Sequence, residues 1–268
     1  MDDWHGKTAV VTGAAGGIGE AIATKAASLG MNVVLADIDA AGLKAVQAAL
    51  ETGGAQVLSV VADVGRLADV ETLADSAYER FGAVHLVFNN AGTMTPGSLL
   101  KLPLDDMRRM VDTNLWGTLY GMKVFMPRML ADGTGHVVNT SSLNGLLAYP
   151  AMATYNGTKA AIIGISETVF HELASRNSPI GISVVCPGAV RKKRVSGMTG
   201  QGSRSADDRI SKFREETGIA ASQVADCIFD GLARNSFWIF THHNFHDALT
   251  RRVDAMIGEL KPVFELPI

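Results

Sequence analysis

The 268-residue sequence predicts an α/β fold, a doubly wound sheet with helices on both faces. Three observations predict it. Seven short apolar runs recur along the chain, each bounded by turn residues. Several of these runs are continuous rather than alternating, which marks strands buried on both faces, as in a parallel sheet. Helical patterns fill the gaps, so strand and helix alternate as right-handed crossovers require.

The first run, Thr8–Val11, leads into a helical pattern at Ile18–Leu29, which Gly30 ends as a C-terminal cap. Val33–Ala36 follows, then a helix at Leu43–Leu50 that stops near Gly53 and Gly54. Val57–Val61 precedes the helix Val70–Phe81, stopped at Gly82. Val84–Phe88 comes next, before a long helical stretch at 105–130. His136–Asn139 is followed by a second long helix at 153–176, and the runs Ile182–Cys186 and Phe237–Phe240 complete the set. Between those last two, residues 189–222 hold Gly197, Gly200, Gly202, several serines and many charges. They read as a mobile substrate segment with room for one short helix. No linker or repeat interrupts the pattern, so a single domain over residues 1–268 is expected.

Composition excludes several function classes. With 24 basic against 27 acidic residues, the formal charge is −3, whereas a nucleic-acid binder carries a basic excess. No apolar run approaches the roughly 18–20 residues needed to span a bilayer. The N-terminus, MDDWHGKTAVV, has acidic residues where a signal peptide wants basic ones. A soluble, cytoplasmic protein without a membrane partner is expected. The two cysteines, Cys186 and Cys227, form no disulfide framework, and Cys186 reads as a small core residue. A hydrophobic content of 47% suffices for a large core, and only 19% of residues are charged, which suggests surface covered by cofactor or by other subunits.

After the first strand the chain reads TGAAGGIGEAIA, with Gly13, Gly17 and Gly19 spaced G-x-x-x-G-x-G. A tight turn of this kind lets backbone N–H groups approach a pyrophosphate at a helix N-terminus. Taken alone, the glycines are also consistent with a plain turn. Asp37 ends the second strand 18 residues after Gly19, close to the spacing of about 20 for a carboxylate that binds ribose hydroxyls. Taken singly, Asp37 reads equally well as a helix N-cap. Together they point to a nucleotide site. Asp37 would repel a 2′-phosphate, and no Arg or Lys lies in residues 13–24 or 36–43 to attract one, which favours NAD over NADP.

Six motifs now fall in register: TGAAGGIG at 12–19, NNAG at 89–92, Asn114, SSLNG at 141–145, YNGTK at 155–159 and CPG at 186–188. In order and spacing they resemble the short-chain dehydrogenase/reductase family, including the 13 positions from Ser142 to Tyr155. The resemblance implies a Rossmann-type domain with a seven-stranded parallel sheet, usually in a dimer or tetramer. It implies hydride transfer between nicotinamide and an alcohol or carbonyl. By the same resemblance Gly13, Gly17, Ile18 and Gly19 line the cofactor turn, and Asp63 and Val64 hold adenine. Asn90, Ala91 and Gly92 line the cleft, Asn114 anchors a water in a proton relay, and Pro187, Gly188 and Val190 flank the nicotinamide. FWIFTH at 237–242 is reminiscent of members that oxidise benzylic or other bulky alcohols, which tilts the substrate toward a hydrophobic alcohol or ketone.

The chemistry explains the YNGTK pair. Removing a hydride from an alcohol requires the hydroxyl proton to leave to a positioned base. A free phenol, with pKa about 10, is too weakly acidic at neutral pH. One helical turn puts Lys159 on the face of Tyr155. An ammonium about 5 Å away, at an effective dielectric of about 20, favours the phenolate by roughly 3 kcal/mol. Ser142 can donate to the substrate oxygen. Lys159 also holds the nicotinamide ribose, as in the family the motifs resemble.

Some positions depart from that family. Asn156 and Gly157 stand where Ser or Ala is usual, and Gly157 leaves room for a large substrate or permits close packing. Lys192 stands where a Thr often binds the carboxamide, a task Thr199 or a backbone group could take over. The run RKKR at 191–194 reads as a solvated loop or as a site for a phosphate-bearing thioester. His242, His243 and His246 read as surface or subunit contacts, and no metal is expected. Phe237, Trp238, Phe240 and Phe245 read as core and interface. The functional expectation is an NAD-dependent alcohol dehydrogenase/ketoreductase. Its rivals are a 3-oxoacyl thioester reductase and a nucleotide-binding regulatory protein without turnover.

Overall fold

A computed structural model describes residues 4–191 and 215–262. The strands are β1 (Thr8–Thr12), β2 (Asn32–Asp37), β3 (Val57–Val61), β4 (Leu86–Asn89), β5 (Gly135–Thr140), β6 (Ile180–Cys186) and β7 (Trp238–Phe240). They form one sheet in the order β3-β2-β1-β4-β5-β6-β7, with every pairing parallel. Strand order reverses between β1 and β4, so the chain leaves these neighbours in opposite directions and a crevice opens at their carboxyl ends.

The continuous apolar runs of the inner strands are buried on both faces, whereas the edge strand β3 is half-buried and leaves Val61 exposed. Along β1, Ala9 and Val11 join one core cluster while Val10 points into another. The first cluster is closed by α1 (Gly17–Ser28), α2 (Ala40–Thr52) and α8 (Ala221–Ala233), through residues such as Ile22, Leu43 and Ile228. The second is closed by α3 (Leu67–Phe81), α5 (Gly117–Asp132) and α7 (Ala153–Ser175), through Leu73, Phe125 and Val169. A third cluster packs Phe237, Trp238, Phe240 and the fully buried Phe245 against Leu143 and Ile162.

Two polar devices run through this apolar interior. Asn89 and Asn139 face each other in the β4–β5 register. Asn89 Nδ2 donates to Asn139 Oδ1 (2.9 Å), Asn139 Nδ2 donates to Ser166 Oγ (3.0 Å), and that hydroxyl donates to Ile162 O (2.7 Å). At the opposite end of β5, His136 Nε2 lies 2.7 Å from Ser183 Oγ, which donates to Ser236 O at 2.7 Å. That Ser donor fixes the imidazole proton on Nε2. Burial pushes the pKa of His136 down from 6.5 to about 4.

The sequence reading needs three corrections. The helix expected at 105–130 is interrupted: α4 (Leu104–Met110) passes into a π-helical turn, Val111–Trp116, before α5. The N-cap of α2 is Asp39, which accepts from Ala41 N and Gly42 N, not Asp37. Among the described residues three helices went unnamed: the short α6 (Leu143–Leu146), α8, and α9 (His246–Ile257), which buries no residue. Of the segment 189–222, residues 192–214 lie outside the described residues, and with them Lys192, Thr199 and most of RKKR. Among the described residues no helix is long and apolar enough to cross a membrane.

Candidate active site

Because the strands are parallel, the segments after β1, β4, β5 and β6 emerge at one edge of the sheet. The segment after β1 is the glycine turn. Gly13 and Gly17 have φ of 68° and 58°, where side chains are disfavoured. A Cβ on Gly13 would sit 2.8 Å from Ala91 Cα, so the exits of β1 and β4 touch only because Gly13 has none. Gly19 packs beneath the Gly13 carbonyl, which likewise leaves no room for a Cβ. Gly16 and Gly17, by contrast, face open space at the start of α1. No side chain caps this N-terminus, so its amides and the helix dipole are open to an anion.

Asp37 lies at the rim of the same turn. Its Oδ2 accepts from Ala15 N (3.0 Å) and its Oδ1 from Asp39 N (3.1 Å). Asp63 Oδ1 accepts from Gly65 N (2.9 Å), while the buried Val64 packs against Gly117 and anchors the loop after β3. Ile18 and Val190 both pack on the first core cluster.

Thr12 fastens the exit of β4. Its hydroxyl accepts from Asn90 N (2.9 Å) and Ala91 N (3.0 Å) and donates to Phe88 O (3.1 Å). Asn90 Nδ2 donates back to Thr12 O (2.9 Å). A Cβ on Gly92 would lie 3.3 Å from Asn114 Oδ1 and 3.6 Å from Lys159 Nζ, so these two side chains close on the Gly92 backbone from different helices. The π-helical turn delivers Asn114 to that point, fully buried. Asn114 Oδ1 accepts from Thr93 N (2.7 Å), and its Nδ2 donates to Thr93 O (2.9 Å) and to Thr158 Oγ1 (3.2 Å). Its side chain thus ties the loop after β4 to α7.

Ser142 follows β5 and caps the short α6 (Leu143–Leu146), accepting from Asn144 N at 3.1 Å. The acceptors near its hydroxyl, Pro187 O at 3.3 Å and Asn144 Oδ1 at 3.4 Å, are both long for an O–H donor. The proton is therefore weakly held. Asn144 Nδ2 donates to Asn156 Oδ1 (2.9 Å), and Asn156 Nδ2 donates to Tyr149 O (2.7 Å). The unusual Asn156 is thereby explained, since it couples the Ser142 loop to the helix that carries Tyr155. Gly157 faces open space, so close packing within the chain does not account for it.

Tyr155 is half-buried in the first turn of α7. Lys159, one turn on, is 3% exposed, and its Nζ lies 5.7 Å from the Tyr155 ring centre. Nζ donates to Thr140 O at 2.7 Å. Burial pushes the Lys159 pKa down to about 8, so the ammonium persists at neutral pH. Cys186 is fully buried beneath, its thiol pushed up to about 12 by burial. Pro187 is fixed from the Ser142 side, its carbonyl accepting from Leu143 N at 3.0 Å.

A protein-family model for the short chain dehydrogenases matches residues 7–200. The chain belongs to this family. The structure resembles that of a short-chain dehydrogenase/reductase from Burkholderia phymatum in complex with NAD, with a TM-score of 0.93 and 35% identity, covering 99% of each chain. Among curated relatives, a CLA biosynthesis dehydrogenase/reductase of Lactiplantibacillus plantarum is 31% identical, over 98% of this chain and 97% of that protein. A 1-deoxy-11-beta-hydroxypentalenate dehydrogenase of Streptomyces avermitilis is 35% identical, over 92% of this chain and 87% of that protein. Like its relatives, this short-chain dehydrogenase is an oxidoreductase.

Four contributors were given no role in the site by the sequence: Thr12 and Asn144, though they lie in the quoted motifs, Thr140, and His242. Thr12 is signalled only by its place before Gly13, and Thr140 acts through a backbone carbonyl, which sequence does not reveal. The reading of all three histidines as surface contacts needs correcting. His243 and His246 are exposed, but His242 is half-buried behind Gly188, because its ring fills the space a Gly188 side chain would take. Among the described residues no group of three or more His, Cys, Asp or Glu could hold a metal.

Proposed function

We propose that the chain transfers a hydride between NAD(H) and a hydrophobic secondary alcohol or its ketone, with Tyr155 as general acid/base. The observation that carries this reading is the buried Lys159 ammonium, held by Thr140 O beside the Tyr155 ring. A charge in that place lowers the cost of forming a phenolate and needs no reorganisation to do so. The residues present fit a dinucleotide. The uncapped start of α1 suits the pyrophosphate, Asp37 suits ribose hydroxyls and repels a 2′-phosphate, and one Lys159 donor goes to Thr140 O while two others can serve a ribose.

Bound NAD supplies the hydride acceptor. Tyr155 takes the alcohol proton as the hydride departs and returns it in reduction. Ser142, its proton weakly held, turns from Pro187 O toward the substrate oxygen and fixes it beside Tyr155. Asn114 and Thr158 hold the loop at Thr93 against α7, keeping the cleft wall in place. Substrate choice falls to residues 93–100, 143–152 and 189–215. The first two of these segments are joined by Gly97 N donating to Ala151 O (2.8 Å), and the exposed Leu99 and Leu100 supply apolar surface there. The resemblance suggests a dimer or tetramer, and we place the enzyme in the cytoplasm.

The test is a panel of secondary alcohols with NAD and NADP, read by nicotinamide absorbance. Turnover with a higher kcat/KM for NAD supports the reading, and a preference for NADP refutes the role of Asp37. Turnover confined to 3-oxoacyl thioesters would select the thioester reductase, and binding without any turnover the regulatory protein.

A further inference from the structure

The β6–β7 ladder pairs Val184 with Trp238, Val185 with Ile239 and Cys186 with Phe240. Continued in register, it would set Gly188 opposite His242. The backbone pairing has stopped by then, yet the next rung is made by a side chain. Gly188 N donates to His242 Nδ1 at 3.2 Å, and the Thr241 hydroxyl shares that nitrogen at 2.8 Å. A Cβ on Gly188 would sit 2.8 Å from the same Nδ1, so the ring lies directly against the backbone.

Other backbone groups around Gly188 are held by main chain. Pro187 O accepts from Leu143 N (3.0 Å), Ala189 O accepts from Ile219 N (3.1 Å), and Arg191 N donates to Ile219 O (2.9 Å). The amide of Gly188 is the exception among these described contacts, because its partner is a replaceable imidazole. Accepting at Nδ1 places the proton of the neutral ring on Nε2.

We infer that His242 is a positioning residue which, by accepting the Gly188 N–H, sets the course of the Gly188–Val190 backbone and so the fit of the nicotinamide half of the cofactor. This rests on the reading that NAD binds with its nicotinamide beside Pro187, Gly188 and Val190. The adenosine half lies at the glycine turn and Asp37, outside the reach of His242, so the two halves should respond differently.

The experiment titrates wild type, His242→Phe and His242→Asn with NADH and with ADP-ribose, which lacks the nicotinamide. Phe keeps a ring and loses the acceptor, while Asn Oδ1 can take the place of Nδ1. His242→Phe should bind NADH about tenfold more weakly, the size of one unsatisfied buried N–H, with ADP-ribose affinity unchanged. His242→Asn should recover most of the loss. Unchanged NADH affinity in His242→Phe, or equal weakening toward both ligands, overturns the inference. If Phe prevents folding, His242→Leu takes its place under the same criteria. A wild type that binds neither ligand removes the cofactor reading, and this inference with it.

Discussion

Lowering the pH from about 7.5 to about 5 should cost the folded protein about 2 kcal/mol through one side chain, His136. The neutral ring donates from Nε2 to Ser183 Oγ, and its Nδ1 faces the backbone of Gly181. Protonation would put a second N–H, and a charge, into a buried site. The folded-state pKa is accordingly lowered from 6.5 to about 4. The sign follows from which state binds the proton first. Above pH 6.5 both states are neutral and stability is complete. As the pH falls toward 4 the unfolded chain protonates first, and stability drains away across that interval. At about pH 5 the unfolded state is favoured roughly 30-fold by this group, or about 2 kcal/mol, with a limit of about 3 kcal/mol at lower pH. The assay is urea unfolding of wild type and His136→Gln at both pH values. Gln retains a donor near Ser183 but does not titrate. All other titrating groups are common to both proteins, so the pH-dependent loss should be about 2 kcal/mol smaller in the variant. Equal losses would show that the ring protonates without penalty and refute the argument.

Two further outcomes address the chemistry. Tyr155→Phe should lower kcat by at least several hundredfold, the range for loss of a general acid/base, while NADH titration shows cofactor binding nearly intact; retained turnover removes Tyr155 from the mechanism. Lys159→Met removes the charge lying 5.7 Å from the Tyr155 ring centre and should move the basic-form limb of the kcat–pH profile to higher pH. A profile that only loses height would mean that Lys159 acts on cofactor binding alone.

The sheet was legible because its physics is local: a strand buried on both faces is built mostly of apolar residues, and all seven runs found their strands within a residue or two. The glycine turn was legible because close approach excludes side chains at Gly13 and Gly19. The π-helical turn at Val111–Trp116 was not, since its sequence has the same helical spacing as its flanks and only the tertiary demand on Asn114 separates them. Asp37 and Asp39 are chemically alike, and the choice of N-cap between them depends on which carboxylate the Ala15 amide claims. His242 was misread for a related reason. Three histidines within five residues look alike on paper, and only the extension of a strand register makes one of them a backbone partner.

The facing Asn89 and Asn139 also bear on how the chain finds its native arrangement. If β4 were to align one residue out against β5, Asn89 would stand opposite Val138 or Thr140 and its Nδ2 would lose Asn139 Oδ1 as acceptor. Every stranded group would cost about 1–3 kcal/mol. The flanking aliphatic residues are nearly interchangeable and cannot impose such a penalty. Two small amides in the middle of the sheet therefore favour the native register over its nearest alternatives.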